Sequence, residues 1–361
     1  MRESRSLAGQ FDPRRNSLNA LRLLFALMVV LWHSEAIGFV GRAHGEVGSM
    51  WGDELAVDGF FIISGFLITR SRVSSTNGWR FLQRRFLRIY PGYWAALVIG
   101  AVVVAPMLYL HEHHHLSGYL RGGGGPIEYV GSNLTLFVHQ YGISGVVANA
   151  PARGSINGSL WTLMYEFACY LVIGALVSAG LVRRQSLVVP ALGAVCLALV
   201  AWHTYDAAGM LQVLPSPVLI PISARFGMMF SIGASFYLWA ARIRLNDGLA
   251  AVAAVLLVSS WALPDWRLAG AIPFAYLIMW AAIRLPAYRV GSRVDLSYGV
   301  YLYAWPIQVL LYAWGASQLT LAAFTAFSVL LALAAAYLSW TLVERPAQRL
   351  GARRRPAVVA P

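Results

Sequence analysis

Apolar residues dominate long runs along nearly the whole chain, and short polar segments separate the runs. A helix needs about 20 consecutive apolar residues to cross the roughly 30 Å hydrocarbon core of a bilayer. Ten spans are predicted on this basis, at roughly 19–40, 51–69, 89–110, 160–182, 186–203, 218–241, 248–264, 268–284, 296–315 and 318–342. A backbone in lipid must satisfy its own hydrogen bonds, and a helix does so within one segment. The predicted fold class is therefore all-α: a polytopic integral membrane protein of about ten transmembrane helices. The first run lacks a small-residue cleavage site, so it reads as a span and not as a removed signal peptide.

Composition supports the same class. Hydrophobic residues make up 58% of the 361 positions and charged residues 12%, with a mean hydropathy of +0.61. A soluble protein of this length needs more polar surface. No long polar stretch is present to form a separate soluble domain. Cys169 and Cys196 both fall inside apolar runs and read as small buried hydrophobes, not as a disulfide framework.

The net charge of +13 is carried by arginine alone, since the chain has no lysine. On a soluble protein this balance would suggest nucleic acid as a partner. On a membrane protein it sets orientation, because basic residues concentrate in cytoplasmic loops. The arginines cluster at 1–18, 70–88, 183–185, 242–247, 285–295 and 343–361, whereas the opposite loops hold Arg42, Arg121, Arg153 and Arg267. Both termini are expected in the cytoplasm, and the expected partners are membrane lipids and no nucleic acid. The chain then divides into a cytoplasmic segment 1–18, a single transmembrane domain 19–342 and an Arg-rich cytoplasmic tail 343–361.

The longest outer segment, 111–159, contains HEHHH at 111–115 and RGGGG at 121–125. Histidine clusters bind metals, but no second ligand group accompanies this one, and its spacing suits no closed site. It is read as a loop covering an outward-facing cleft, with no metal expected. Asn133 and Asn157 each match the glycosylation acceptor pattern, and both matches are read as chance.

Ionisable groups inside spans are costly, about 2.5–3.5 kcal/mol each on insertion scales, and so mark candidate function. Arg22 and His33 lie in the first span, eleven residues apart. That is just over three turns, which puts both on one helix face about 16 Å apart along the axis. Asp58, Glu166 and Arg225 lie in later spans at a depth close to that of His33. Groups of both signs at one level suggest a water-accessible polar site. In that reading Asp58 orients His33 and raises its basicity. The structural alternatives are that Arg22 snorkels to the inner headgroups, that His33 is a satisfied core histidine, and that Arg225 and Glu166 are a structural pair.

On the cytoplasmic side, 70–88 concentrates Arg70, Arg72, Arg80, Arg84, Arg85 and Arg88. Arginine forks bind phosphate in a bidentate manner, so these residues suit a polyphosphate. Positive-inside bias and anionic lipids account for two or three of them without further function. In the ninth span Tyr298, Tyr301 and Trp305 share a helical face, whose plain reading is packing and an interfacial aromatic belt. Pro306 is expected to kink this span. Glu344-Arg345-Pro346 is expected to end the last helix at the inner surface.

These motifs occur in a recognisable order: Arg22, ten residues, His33; VDGFFIISGFLIT (57–69); RRFLRIYPGYW (84–94); NGSLWTLMYEF (157–167); LSYGVYLYAWPIQ (296–308); and LVERPAQRL (342–350). The series resembles the acyltransferase 3 family of membrane acyltransferases. The resemblance implies transfer of an acyl group, acetyl by default, from cytoplasmic acyl-CoA to a hydroxyl of an extracytoplasmic or lipid-linked glycan at a bacterial cytoplasmic membrane. It implies that Arg22 and His33 are the signature pair, that Arg84, Arg85 and Arg88 belong to a donor-binding motif, and that Trp161 and Glu166 belong to the fourth-span motif. His33, Asp58 and Glu166 become the catalytic candidates. Arg22, Arg84, Arg85, Arg88 and Tyr298 become candidates for the donor, and Trp161 and Arg225 for the acceptor. Some family members carry a fused hydrolase-like domain, so this chain is expected to act alone or with a separate extracytoplasmic partner. Two other readings stay open. A transporter or flippase for a lipid-linked saccharide would predict repeat symmetry between halves, and the Arg-rich loop has no counterpart in the second half. A sensor that binds acyl-CoA without turnover would form no His33-dependent product.

Overall fold

The computed structural model describes residues 5–39, 46–120, 123–146, 154–183, 185–214, 216 and 218–352. Among these residues every named element is a helix, and the β-pairing seen is a bridge between Ser6 and Arg244. In chain order the helices are α1 (Leu7–Gln10), α2 (Leu18–Gly38), α3 (Glu46–Val73), α4 (Gly78–Ile99), α5 (Ala105–His113), α6 (Pro126–Ser132), α7 (Thr162–Ser178) and α8 (Val188–Tyr205). They continue with α9 (Ala207–Val213), α10 (Leu219–Leu238), α11 (Asp247–Ser260), α12 (Arg267–Arg284), α13 (Ser297–Ala313), α14 (Leu321–Ser339) and α15 (Arg345–Ala352). Each of the ten apolar runs is thus helical. Among the described residues six helices are long and apolar enough to cross a membrane: Leu18–Gly38, Gly78–His113, Val188–Tyr205, Leu219–Leu238, Arg267–Arg284 and Leu321–Gly351. Helices α7 and α11 are apolar but shorter.

Two of the long helices contain a π-helical turn, Gly100–Val104 between α4 and α5 and Trp340–Glu344 between α14 and α15. Each turn ends two residues before a proline, Pro106 or Pro346. A proline ring clashes with the carbonyl four residues earlier and donates no hydrogen bond. Those carbonyls belong to Val102 and Leu342, inside the two π turns. The wider turn relieves the clash without breaking the helix. The last helix therefore does not stop at Glu344-Arg345-Pro346, as the sequence suggested, but continues as α15. Pro306 likewise lies inside an α13 that runs from Ser297 to Ala313.

The chain divides into two compact units. One comprises Met1–Arg22, Val57–Leu82 and Tyr165–Arg293; the other comprises Leu23–Ala56, Gln83–Met164 and Val294–Pro361. Four of the five divisions fall inside α2, α3, α4 and α7, and the fifth falls between α12 and α13.

In the first unit α3 and α10 meet backbone to backbone. A Cβ added at Gly65 would collide with the Phe230 carbonyl oxygen, and one at Gly233 would collide with the Ile62 carbonyl oxygen. Small residues at such a crossing permit the close approach that apolar helices in lipid use for packing. Phe61 and Phe226 stack beside it, with ring centroids 4.2 Å apart. At the N-terminus Ser6 caps α1 through a bond from the Gly9 amide, and Leu7 N–H bonds the Ile243 carbonyl at 2.8 Å.

In the second unit α13 packs on α14. Gly299 lies against Ala336, whose Cα would be 2.7 Å from an added Cβ. The histidines of 111–115 make local contacts. His113 Nε2 lies 2.8 Å from the Gly145 carbonyl oxygen, His115 Nδ1 lies 3.0 Å from Ser117 Oγ, and Tyr109 packs on His113. Among the described residues no group of three or more His, Cys, Asp or Glu side chains could hold a metal. Arg42, Arg121 and Arg153, three of the outer-loop arginines, lie outside the described residues.

Candidate functional site

The close α3–α10 crossing places the first ionic cluster. Asp58 sits on α3 seven residues before Gly65, and Arg225 sits on α10 eight residues before Gly233. Asp58 is 0% exposed. Its Oδ1 accepts from Arg225 Nε at 2.9 Å, and its Oδ2 accepts from Arg267 Nε at 2.6 Å. Arg267 is 6% exposed and also donates to Asp265 Oδ1 at 3.1 Å. The guanidinium of Arg225 lies 5.1 Å from the Phe226 ring centre. Sequence placed Arg267 in an outer loop. The structure makes it the first residue of α12, buried because its charge has two carboxylates to face.

One pairing expected from the sequence is corrected here. Each carboxylate oxygen of Asp58 is bonded by an arginine. Arg225 pairs with Asp58 and not with Glu166. Charge-assisted bonds of this kind are about twice as strong as neutral ones. Glu166, on the first turns of α7, instead accepts from Ser64 Oγ at 2.9 Å and from the Tyr170 hydroxyl. Ser64 is one residue before Gly65, so the same crossing supports this cluster too.

The second unit holds His33. Its ring meets Trp305 edge-on, with centroids 4.7 Å apart and planes at 83°. The Nδ1 atom of His33 is buried and has no hydrogen-bond partner. Gln308, one turn beyond Trp305 on α13, donates from Nε2 to the Val30 carbonyl and to Ser34 Oγ, both at 2.7 Å. These bonds fix α13 against the α2 face that carries His33. Two residues beyond His33, Glu35 is 8% exposed. The sequence reading passed over it, although it is a third ionisable group within the first apolar run.

The arginine motif of the second unit is organised by carboxylates. Arg88 donates to Asp295 Oδ2 at 2.6 Å and to Glu344 Oε2 at 3.3 Å, and it lies 5.4 Å from the Tyr298 ring centre. Tyr298 donates to the Ile89 carbonyl at 2.6 Å. Glu344, buried in the π turn, also accepts from Ser339 Oγ at 3.1 Å. Arg88 therefore ties α4 to α13 and to the end of α14. Asp295 was not singled out in the sequence, and Glu344 was read only as a helix end; the signal of each was a carboxylate in an otherwise arginine-rich segment, 285–295 or 343–361. Arg84 is exposed, Arg85 is half-buried, and Tyr298 is buried. Arg22 is half-buried on α2, and Trp161 is half-buried one residue before α7. The next residue, Thr162, shares a 2.6 Å hydrogen bond with the Tyr301 hydroxyl. Tyr298 and Tyr301 are thus both hydrogen-bonded within the second unit.

The helical architecture and its six membrane-length helices define a membrane protein class consistent with several passes. The sequence model described as an acyltransferase domain matches residues 15–342. The chain belongs to the acyltransferase 3 family. It is 26% identical over 345 residues to an O-acetyl transferase of Shigella phage Sf6, covering 92% of this chain and 96% of that protein. It is 27% identical over 364 residues to nodulation protein 10 of Rhizobium leguminosarum bv. viciae, covering 93% of this chain and 94% of that protein. No solved structure matches significantly.

Proposed function

We propose that the protein is a multi-pass O-acyltransferase of a bacterial cytoplasmic membrane. It takes an acyl group, acetyl by default, from cytoplasmic acyl-CoA and transfers it to a hydroxyl of an extracytoplasmic or lipid-linked glycan. Ten helices cross the bilayer, and both termini are cytoplasmic. The observation that carries this reading is the family match across residues 15–342, with the phage O-acetyl transferase matching over nearly its whole length.

The chemistry asks for a base beside the acceptor hydroxyl. His33 Nδ1, buried and without a hydrogen-bond partner, suits that role. It takes the hydroxyl proton as the oxygen attacks the thioester carbonyl. The carbon–sulfur bond then breaks, an ester forms, and the proton passes to the departing CoA thiolate. Arg84 and Arg85 hold the donor's phosphates, and Arg88, anchored by Asp295 and Glu344, fixes the helix that carries them. Arg22 guides the pantetheine arm along α2. Asp58, Arg225 and Arg267 hold α3, α10 and α12 in register, and Glu166 holds α7 to α3. Trp161 belongs to the acceptor side. No metal is required.

The test uses membrane vesicles carrying the wild type or His33→Ala, given acetyl-CoA labelled in the acetyl group and a crude host glycan extract. Label is expected in glycan with the wild type alone. Equal transfer by a folded His33→Ala variant would remove His33 from the mechanism. Retained CoA binding without transfer by the wild type would favour a sensor.

A further inference from the structure

Buried polar atoms are almost always hydrogen-bonded, so an unpartnered group needs an explanation. Four such atoms in the second unit, His33 Nδ1, Ser155 Oγ, Ser159 Oγ and Gln308 Oε1, lie on segments that meet around Trp305. Ser159 is 2% exposed and Gln308 is 0% exposed. Trp305 joins them. Its ring meets His33, and its Nε1 donates to the Ser155 carbonyl at 3.2 Å. Gly158 lies against it so closely that an added Cβ would be 2.6 Å from Cζ2. The loop is pinned to α13 by Asn157 Nδ2, which donates to the Leu302 carbonyl at 2.8 Å. Gln308 spends its amide N–H groups on α2, which leaves its oxygen as the end without a donor.

The chemistry of the set points to one ligand class. One member, the amide oxygen, is an acceptor; the imidazole nitrogen accepts or donates according to the tautomer, and two are hydroxyls that donate or accept. No arginine belongs to it, so it does not suit a phosphate. A hydroxyl both donates and accepts, and adjacent hydroxyls match a set of this kind. Trp305, half-buried, adds apolar surface of the sort that lines small-molecule sites beside a few placed polar groups.

We propose that Ser155, Ser159, Gln308 and Trp305 form the acceptor subsite beside His33, and that its ligand is a sugar ring bound through its hydroxyls. The proposal rests on the transferase reading with His33 as base. Ser155→Ala and Ser159→Ala remove hydroxyls that no group of the protein bonds, so folding should not suffer. In the labelled-acetyl assay each variant is expected to raise the apparent KM for the glycan extract about three- to ten-fold, the range of one lost neutral hydrogen bond. The KM for acetyl-CoA should stay at the wild-type value. A raised acetyl-CoA KM with an unchanged glycan KM would reassign the cluster to the donor arm, and no change in either would overturn the proposal.

A second measurement does not depend on turnover. In a protein with Cys169 and Cys196 replaced by Ala, Ser159→Cys is labelled with a small thiol reagent. The glycan extract should slow labelling several-fold, and acetyl-CoA should not. Protection by acetyl-CoA alone, or by neither, would refute the subsite. Absence of transfer by the wild type with protection by glycan intact would defeat the transferase reading and leave the subsite standing.

Discussion

Replacing Asp58 by Leu should cost more than replacing Asp58 and Arg267 together. Asp58 faces Arg225 at 2.9 Å and Arg267 at 2.6 Å. At an effective dielectric of about 20 each pair attracts by about 6 kcal/mol. Desolvating the three ions costs several kcal/mol apiece, so the intact triad sits near break-even. Removing Asp58 alone abolishes the attraction and leaves two guanidinium groups that have already lost their water. Breaking a buried ion pair by removing one partner costs about 3–5 kcal/mol. Asp265 still bonds Arg267 at 3.1 Å, which places the loss toward the lower end, about 3 kcal/mol. Asp58→Leu with Arg267→Met removes one of the stranded charges, and a favourable coupling of about 1–3 kcal/mol is expected between the two changes. The assay is reversible unfolding of detergent-purified protein for the wild type, both single variants and the double variant. Losses that simply add would refute the triad as the source of the stability. A fully stable but inactive Asp58→Leu variant would instead place Asp58 in the chemistry.

Gly65→Ala should destabilise by about 1–3 kcal/mol through overpacking, because a methyl there meets the Phe230 carbonyl on α10. A melting temperature in detergent equal to the wild type's would show that the two backbones do not meet. Glu166→Gln should keep both hydroxyl donors bonded, whereas Glu166→Ala strands Ser64 and Tyr170 at about 1–3 kcal/mol for each unsatisfied group. Equal yields of folded protein from the two variants would sink the hydrogen-bond role. Equal loss of transfer by both, with Glu166→Gln folded, would show that the charge itself is needed.

Hydropathy alone located every apolar helix, because a helix in lipid is fixed by the length and composition of its own segment. Motif order was enough to identify the family, and the positions of His33, Asp58, Glu166 and Arg225 as polar groups in apolar runs were visible without any fold. Partners were not. That Asp58 meets Arg225 depends on how closely α3 approaches α10, and that distance is set by Gly65 and Gly233, 168 positions apart in the chain. Arg267 looked like a loop residue because sequence shows neither burial nor Asp58 across from it. The continuation past Glu344 was hidden by Pro346, whose usual meaning is a helix end; a π turn, which has no composition signature, carried the helix through. Arg88 read as a donor-binding candidate, and nothing in its own segment showed that Asp295 and Glu344 would be brought to it from distant ones. The unpartnered cluster around Trp305 was equally out of reach, since a hydroxyl or an amide oxygen is known to lack a partner only when everything packed around it is known. Local composition decided which segments are helices and which residues are costly to bury. Tertiary contact decided which of those costs are offset within the protein and which polar groups have no partner there.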